Sequence, residues 1–242
     1  MTSLYTPRGA ARVYAELAVN IYDRCAHGCR YCYCPRVLHI SEFEYYSPKP
    51  QPRPGLLDDL MTACEEWTAV TDERPYVHLC FLGDPLPRAV MPGVTEAVIN
   101  LLHRFHFPVQ LLSKSGFLPD STLGELSERD RYWVSLTTLD PERCTFFEPH
   151  AGSARERLAA LARARGAGIK TGVSLEPVLT QEDAAQVLTG LAGRGLELVW
   201  VGMLNHHTTP YKWGDIKPEL ERLANRLHLP VRFKDDFHVR PD

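Results

Sequence analysis

The chain has 242 residues, 44% of them hydrophobic, and a formal net charge of −3. Length and apolar share suit one sizeable core, so a single domain is expected over residues 1–242, with a core of about 15–205 and a C-terminal extension of about 206–242. The charge excludes an overall basic field for nucleic acid and leaves only local patches. No apolar run approaches the ~20 residues that carry a helix across a bilayer, so no membrane partner is expected.

Residues Met1 to Arg12 lack an apolar period and read as a polar lead-in arm, followed by a first strand over Ala15 to Ile21. Next comes Cys25-Ala26-His27-Gly28-Cys29-Arg30-Tyr31-Cys32, with the loop continuing through Tyr33-Cys34-Pro35. Thiolates are the ligands of iron–sulfur clusters, and three within eight residues can converge on one cluster from a single loop, leaving its fourth iron open to a small molecule. The alternative is a zinc site completed by Cys34 or His27 in a non-catalytic, metal-stapled binding module. Against it, Cys64, Cys80 and Cys144 stand alone, so the second Cys-x2-Cys knuckle of a zinc ribbon is missing. With no secretory hydrophobic segment in the reading, clustered cysteines point to reduced thiols in a cytoplasm rather than a disulfide framework.

Ser47 to Gly55 holds four prolines and reads as an extended connector. The spacing of Leu57, Leu60, Met61 and Cys64 predicts a helix over Leu56 to Val70. Strand and helix then alternate. Strands are expected at Tyr76–Phe81, Pro108–Leu112, Tyr132–Leu136, Ile169–Leu175 and Leu198–Met203, and helices at Gly93–Phe105, Ser121–Asp130, Ser153–Arg165, Gln181–Arg194 and Pro218–Leu227. Such a series predicts an α/β fold with a parallel sheet, a partial (β/α)6 TIM-like barrel whose cluster-binding loop follows strand 1. Pro230 to Phe233 can add a short extra strand, and Asp235 to Asp242 forms a polar tail.

In parallel barrels the chemistry gathers at the carboxyl ends of the strands. Here those ends carry Cys80 with Gly83-Asp84-Pro85, then Ser113-Lys114-Ser115-Gly116, then Ser135 with Thr137-Thr138, then Ser174 with Glu176-Pro177, and last Asn205-His206-His207. Each alone suits a turn or cap; polar groups at five successive ends point to a binding mouth.

The cysteine spacing, its place after the first strand and Tyr31 before the third cysteine resemble the radical S-adenosylmethionine superfamily. That resemblance implies a six-stranded partial barrel and a [4Fe–4S] cluster on Cys25, Cys29 and Cys32. It implies S-adenosylmethionine as second cofactor, cleaved reductively to a 5′-deoxyadenosyl radical that abstracts hydrogen from substrate, and an external electron donor of the flavodoxin or ferredoxin type. Gly83-Asp84 stands where the superfamily has a Gly-Gly-Glu-like element for the cofactor ammonium, with one glycine fewer and a shorter acid.

The run Cys29-Arg30-Tyr31-Cys32-Tyr33, the Asp84 turn, Ser113-Lys114-Ser115 and Ser135 are similar to the spore photoproduct lyase branch, over roughly Ala15 to Asn205. The branch implies that Lys114 and Ser135 contact S-adenosylmethionine and that Tyr31 and Tyr33 form a hydrogen-atom relay. It also implies a lyase or isomerase type of reaction on a nucleobase, in DNA or RNA repair or modification or on a nucleoside. Radical chemistry on a peptide, protein or small metabolite is the alternative.

The branch's hydrogen-donor cysteine maps onto Cys80, but Cys80-Phe81-Leu82-Gly83-Asp84 is one residue longer than Cys-x-x-Asp. A one-residue shift turns a strand side chain to the other face, so a buried core cysteine stays open as the reading and Cys34 competes as donor. Arg155, Arg157, Arg163 and Arg165 read either as a solvated helix face or as a basic surface for phosphate.

Overall fold

The computed structural model describes residues 4–88, 90, 93–204 and 211–234. Among the described residues seven strands, β1 (Leu17–Val19), β2 (Val77–Leu79), β3 (Val109–Ser113), β4 (Arg131–Ser135), β5 (Lys170–Val178), β6 (Leu198–Met203) and β7 (Val231–Phe233), form one parallel sheet in chain order. The helices are α1 (Cys34–Leu38), α2 (Glu42–Tyr46), α3 (Leu56–Val70), α4 (Gly93–Arg104), α5 (Asp120–Glu125), α6 (Pro141–Phe147), α7 (Ala154–Gly166), α8 (Gln181–Leu191) and α9 (Trp213–Arg226). Because β1 and β7 end the strand order, the barrel is open, the partial TIM-like form expected, with a seventh strand where Pro230 to Phe233 was read as an addition.

Alternation divides the two faces of the sheet. Leu17, Val19, Val77, Leu79, Val109, Leu111, Val134, Val173, Leu175, Val199 and Val201 are buried in the apolar core beneath the helices. The residues between them face the barrel interior, and the register lines up Ala18, His78 and Gln110 across β1 to β3, and Leu112, Trp133 and Gly172 across β3 to β5. The interior is therefore polar and aromatic. The edge of β1 is covered by antiparallel bridges of Tyr5 with Ala18 and of Tyr22 with Pro52, so the lead-in arm and the proline connector satisfy an edge that would otherwise be exposed.

Several elements depart from expectation. On α3 the buried face is Leu56, Leu60 and Cys64, one i, i+4 line, whereas Leu57 and Met61 lie 40% and 37% exposed. The helix expected to reach Asp130 ends at Glu125, because the buried Asp130 carboxylate takes the Ser127 and Val109 N–H groups and ties the turn into β4 to the start of β3. Helix α9 starts at Trp213, five residues ahead of the expected start, and runs through Pro218 because its buried line Ile216, Leu220, Ala224 spans the proline.

Helices α1, α2 and α6 and a 3-10 turn at Gly9–Val13 stand outside the expected elements. Two of them carry local signals: a Ser41/Glu44 capping box starts α2, and Asp140 caps α6 with Pro141 in its first turn. Asn205-His206-His207 and Asp235 to Asp242 lie outside the described residues. Among the described residues no helix is long and apolar enough to cross a membrane.

Candidate active site

The loops that follow the strands enclose a cavity of ≈ 260 Å³. Cys25, Cys29 and Cys32 all line it, on the loop after β1. That loop is pinned from several sides: Phe147 O accepts from Arg30 N–H (2.9 Å), His27 O from His150 N–H (3.1 Å), and Cys29 O from the Tyr46 hydroxyl (3.1 Å). All seven cysteines are free thiols. Among the described residues no three His, Cys, Asp or Glu side chains close on a single-ion position. Three thiols spread around one cavity fit the larger cluster. Burial pushes the Cys25 thiol up and the Cys29 thiol to about 12, whereas a hydrogen bond from Cys34 lowers Cys32.

Asp84 organises the mouth. Its Oδ2 accepts from His27 Nε2 (2.9 Å) and Lys114 N–H (2.7 Å), and its Oδ1 accepts from Ser113 Oγ (2.8 Å) and Leu86 N–H (2.9 Å). Burial alone would raise this carboxyl; the His27 ring and the backbone donors outweigh it and hold the group below the usual carboxylate range. Asp84 thereby ties the cluster loop to the loops after β2 and β3. Gly83 allows the approach, because a Cβ there would sit 2.9 Å from Arg24 O.

Beneath the cluster loop lies a buried ion pair. Arg157, 1% exposed, reaches from α7 to Glu148, 2% exposed, and also donates to Gly152 O (2.8 Å) and Ser135 O (2.9 Å). Glu148 accepts from the Tyr31 hydroxyl, and Lys114 Nζ stands 5.6 Å from the Tyr31 ring centroid. Burial opposes ionisation of Glu148, but Arg157 and Lys114 prevail and its carboxyl is lowered.

Different elements supply a second polar group on the same cavity. Glu176 Oε2 receives the Tyr14 hydroxyl, Ser174 Oγ (3.1 Å) and Lys234 Nζ (2.8 Å), and Lys234 lies 4.0 Å from the Tyr14 ring centroid. Beside them His78 stacks on Phe81 with ring centroids 4.0 Å apart.

Cys25, Cys29, Tyr31, Cys32, Tyr33, Cys34, Cys80, Gly83, Asp84, Lys114, Ser135, Ser174 and Glu176 line this cavity, whereas Ser113, Ser115, Thr137 and Thr138 do not. Ser113 and Ser115, expected as polar groups of the binding mouth, are instead committed to the turn that holds Asp84 and Phe117, which leaves Lys114 as the side chain that this strand end offers. Asp84, read as a direct partner of the cofactor ammonium, has both oxygens occupied and anchors loops. Tyr33 Oη donates to Phe81 O (2.6 Å) and Cys34 Sγ to the same oxygen (3.6 Å).

Cys80 has φ +70°, a left-handed conformation that turns its thiol toward the Ile21 N–H (3.4 Å) while it still borders the cavity. The four-arginine surface does not form: Arg157 is buried on Glu148, and Arg163 pairs with Asp120 and Leu118 O. Sequence reasoning missed Glu148, Tyr14, His78 and Lys234, and weighed His27 only as a zinc ligand. These residues sit far along the chain from their partners, and only the buried acid and base, unusual as singletons, offer a signal in hindsight.

The Radical SAM superfamily model matches residues 19–189. A doubly substituted spore photoproduct lyase, solved with bound AdoMet and dinucleoside spore photoproduct, aligns with a TM-score of 0.74 at 16% identity, covering 98% of this chain and 79% of that one. Streptococcus suis SuiB bound to S-adenosylmethionine aligns with a TM-score of 0.71 at 11% identity, over 93% of this chain and 52% of that one. The uncharacterized protein ORF301 of Acidianus two-tailed virus is 23% identical over 248 residues, 92% of this chain and 80% of its own. The structural likenesses establish the fold. Together with three free thiols on one barrel-mouth cavity, the family match over more than half its length places this chain in the radical SAM superfamily, whose cofactors are a [4Fe–4S] cluster and S-adenosylmethionine.

Proposed function

We propose that this chain is a lyase- or isomerase-type radical enzyme that removes hydrogen from a nucleobase or nucleic-acid-related substrate, in repair or modification, acting as one domain in the cytoplasm with a flavodoxin- or ferredoxin-type reductant. The observation that carries it is a single cavity bounded by Cys25, Cys29 and Cys32 at one part of its wall and by Tyr14, His78 and Phe81 at another. When bound, the cluster and S-adenosylmethionine would supply the hard chemistry, one-electron cleavage of the cofactor and hydrogen-atom abstraction from substrate.

The chain's own residues bind, orient and shield. Cys25, Cys29 and Cys32 hold the cluster. Lys114 meets the cofactor carboxylate, its ammonium placed by the anchored turn of Asp84, and Ser135 and Gly83 bound the cofactor space. The buried wall keeps solvent and exposed protein groups from the reactive carbon. Tyr31, Tyr33, Cys34 and Cys80 all border the cavity and form the candidate set for hydrogen return. Aromatic rings on the wall favour a planar substrate over the peptide or small-metabolite reading, because they offer faces for stacking.

The test is anaerobic reconstitution with iron and sulfide, followed by chromatography for 5′-deoxyadenosine after adding dithionite and S-adenosylmethionine. Wild type is expected to produce it, and Cys29→Ala to lose it with circular dichroism preserved. Full activity in Cys29→Ala, or zinc retained with no iron bound, would refute the proposal.

A further inference from the structure

The group on Tyr14, Ser174, Glu176 and Lys234 is unlike a solvated surface pair. Lys234 is only 6% exposed, and three donors from three different segments converge on one oxygen of Glu176. The other oxygen, Oε1, lies over Gly202, where a Cβ would overlap the carboxylate, so the lack of a side chain at 202 is what admits this carboxylate position. One carboxylate and one ammonium cancel, and a buried net-neutral group receives an uncharged ligand without stranding an unpaired charge.

The group presents both kinds of hydrogen-bonding function, an acceptor on Glu176 and, on Lys234, the ammonium protons that Glu176 does not take, while the Tyr14 and Ser174 hydroxyls hold the carboxylate in place. Around them stand flat faces: the Tyr14 centroid is 5.5 Å from that of His78 and 6.2 Å from that of Phe81. His78 lines the cavity, is 1% exposed, and its Nδ1 has no hydrogen-bond partner among the described residues. A buried ring nitrogen left without a partner marks a wall still to be completed by another polar group.

We infer that Glu176 and Lys234, supported by Tyr14 and Ser174, form a substrate-recognition subsite for an uncharged planar ring carrying an N–H beside a carbonyl, the imide edge of a pyrimidine base. Glu176 accepts from the ring N–H, Lys234 donates to the carbonyl, and the aromatic wall takes the ring face. This assigns the strand-end carboxylate Glu176 to substrate. It rests on the nucleobase reading for the identity of the ligand and is tested by binding, without radical turnover.

The experiment is calorimetric titration of the cluster-loaded, S-adenosylmethionine-saturated protein with thymidine, N3-methylthymidine and a short N-acetylated peptide amide. Thymidine is expected to bind at least about tenfold tighter than N3-methylthymidine, which keeps the ring and loses the N–H. Lys234→Met and Glu176→Gln are each expected to weaken thymidine by about tenfold or more, and Gly202→Ala, which keeps all four polar side chains but displaces the carboxylate, to weaken it as well. Thermal melts of every variant separate lost binding from lost fold.

Equal affinity for thymidine and N3-methylthymidine, unchanged thymidine binding in folded Lys234→Met, or preferential binding of the peptide amide would overturn the subsite. Discriminating thymidine binding in a protein that makes no 5′-deoxyadenosine would uphold the subsite while the radical proposal fails. Production of 5′-deoxyadenosine without discrimination would do the reverse.

Discussion

Arg157→Met is the sharpest test of how the cluster loop is held. The Arg157 and Glu148 side chains are 1% and 0% exposed, so removing the guanidinium leaves a carboxylate with no compensating charge in the interior. Breaking such a pair costs about 3–5 kcal/mol. For a domain of this length each kcal/mol moves the melting midpoint by about 2–4 °C, so the variant is expected to melt roughly 10 °C below wild type by calorimetry.

The double variant Arg157→Met/Glu148→Leu removes both charges and is expected to recover most of the loss, although the Tyr31 hydroxyl then lacks its acceptor. The sign with pH follows from the lowered Glu148 carboxyl: the stabilisation is complete above the carboxyl's unfolded value and disappears as pH falls through the lower folded value. A single variant within about 1 kcal/mol of wild type in urea unfolding, or a double variant no more stable than the single, would refute the reasoning.

Lys114→Ala is expected to retain iron and weaken S-adenosylmethionine by about tenfold in equilibrium binding, the worth of one charged hydrogen bond; unchanged affinity would remove Lys114 from the cofactor site. His78 is pushed down to about 3 by burial, so between that value and its ordinary 6.5 the unfolded chain binds a proton that the folded chain does not. Stability should therefore fall by about 1.4 kcal/mol per pH unit from this group as pH drops from about 6 to about 4, and His78→Phe should lose that component. Parallel urea midpoints for the two proteins at pH 7 and pH 5 would contradict it.

Much of the architecture was legible because it is local. A strand in a covered parallel sheet needs only a short apolar run, and a helix only a stripe, so all six expected strands fell within a few residues of those observed. The cluster loop was legible for the same reason, since its three thiols lie within eight residues and their chemistry is narrow. On α3 Leu60 and Cys64 are buried as expected and Leu57 and Met61 are not, because these two are as apolar as Leu56 and Leu60 and composition cannot say which of two adjacent stripes meets the sheet. The roles at strand ends were harder still. Ser113 and Asp84 look like ligands in a sequence, yet they are spent on each other because the loops after β2 and β3 come within hydrogen-bond reach.

By itself the sequence determined the alternation of strands and helices and the three-thiol loop, because each depends on spacing within one segment, while the partial-barrel form and the S-adenosylmethionine cofactor followed from the family resemblance that this loop carries. Only the tertiary structure decided which polar groups face the cavity and which are consumed in holding it. Glu148 meets Arg157 and Tyr31, and Glu176 meets Tyr14 and Lys234, across separations in the chain that no local pattern encodes. Those pairings exist because a buried charge has to find its partner wherever the fold brings one near.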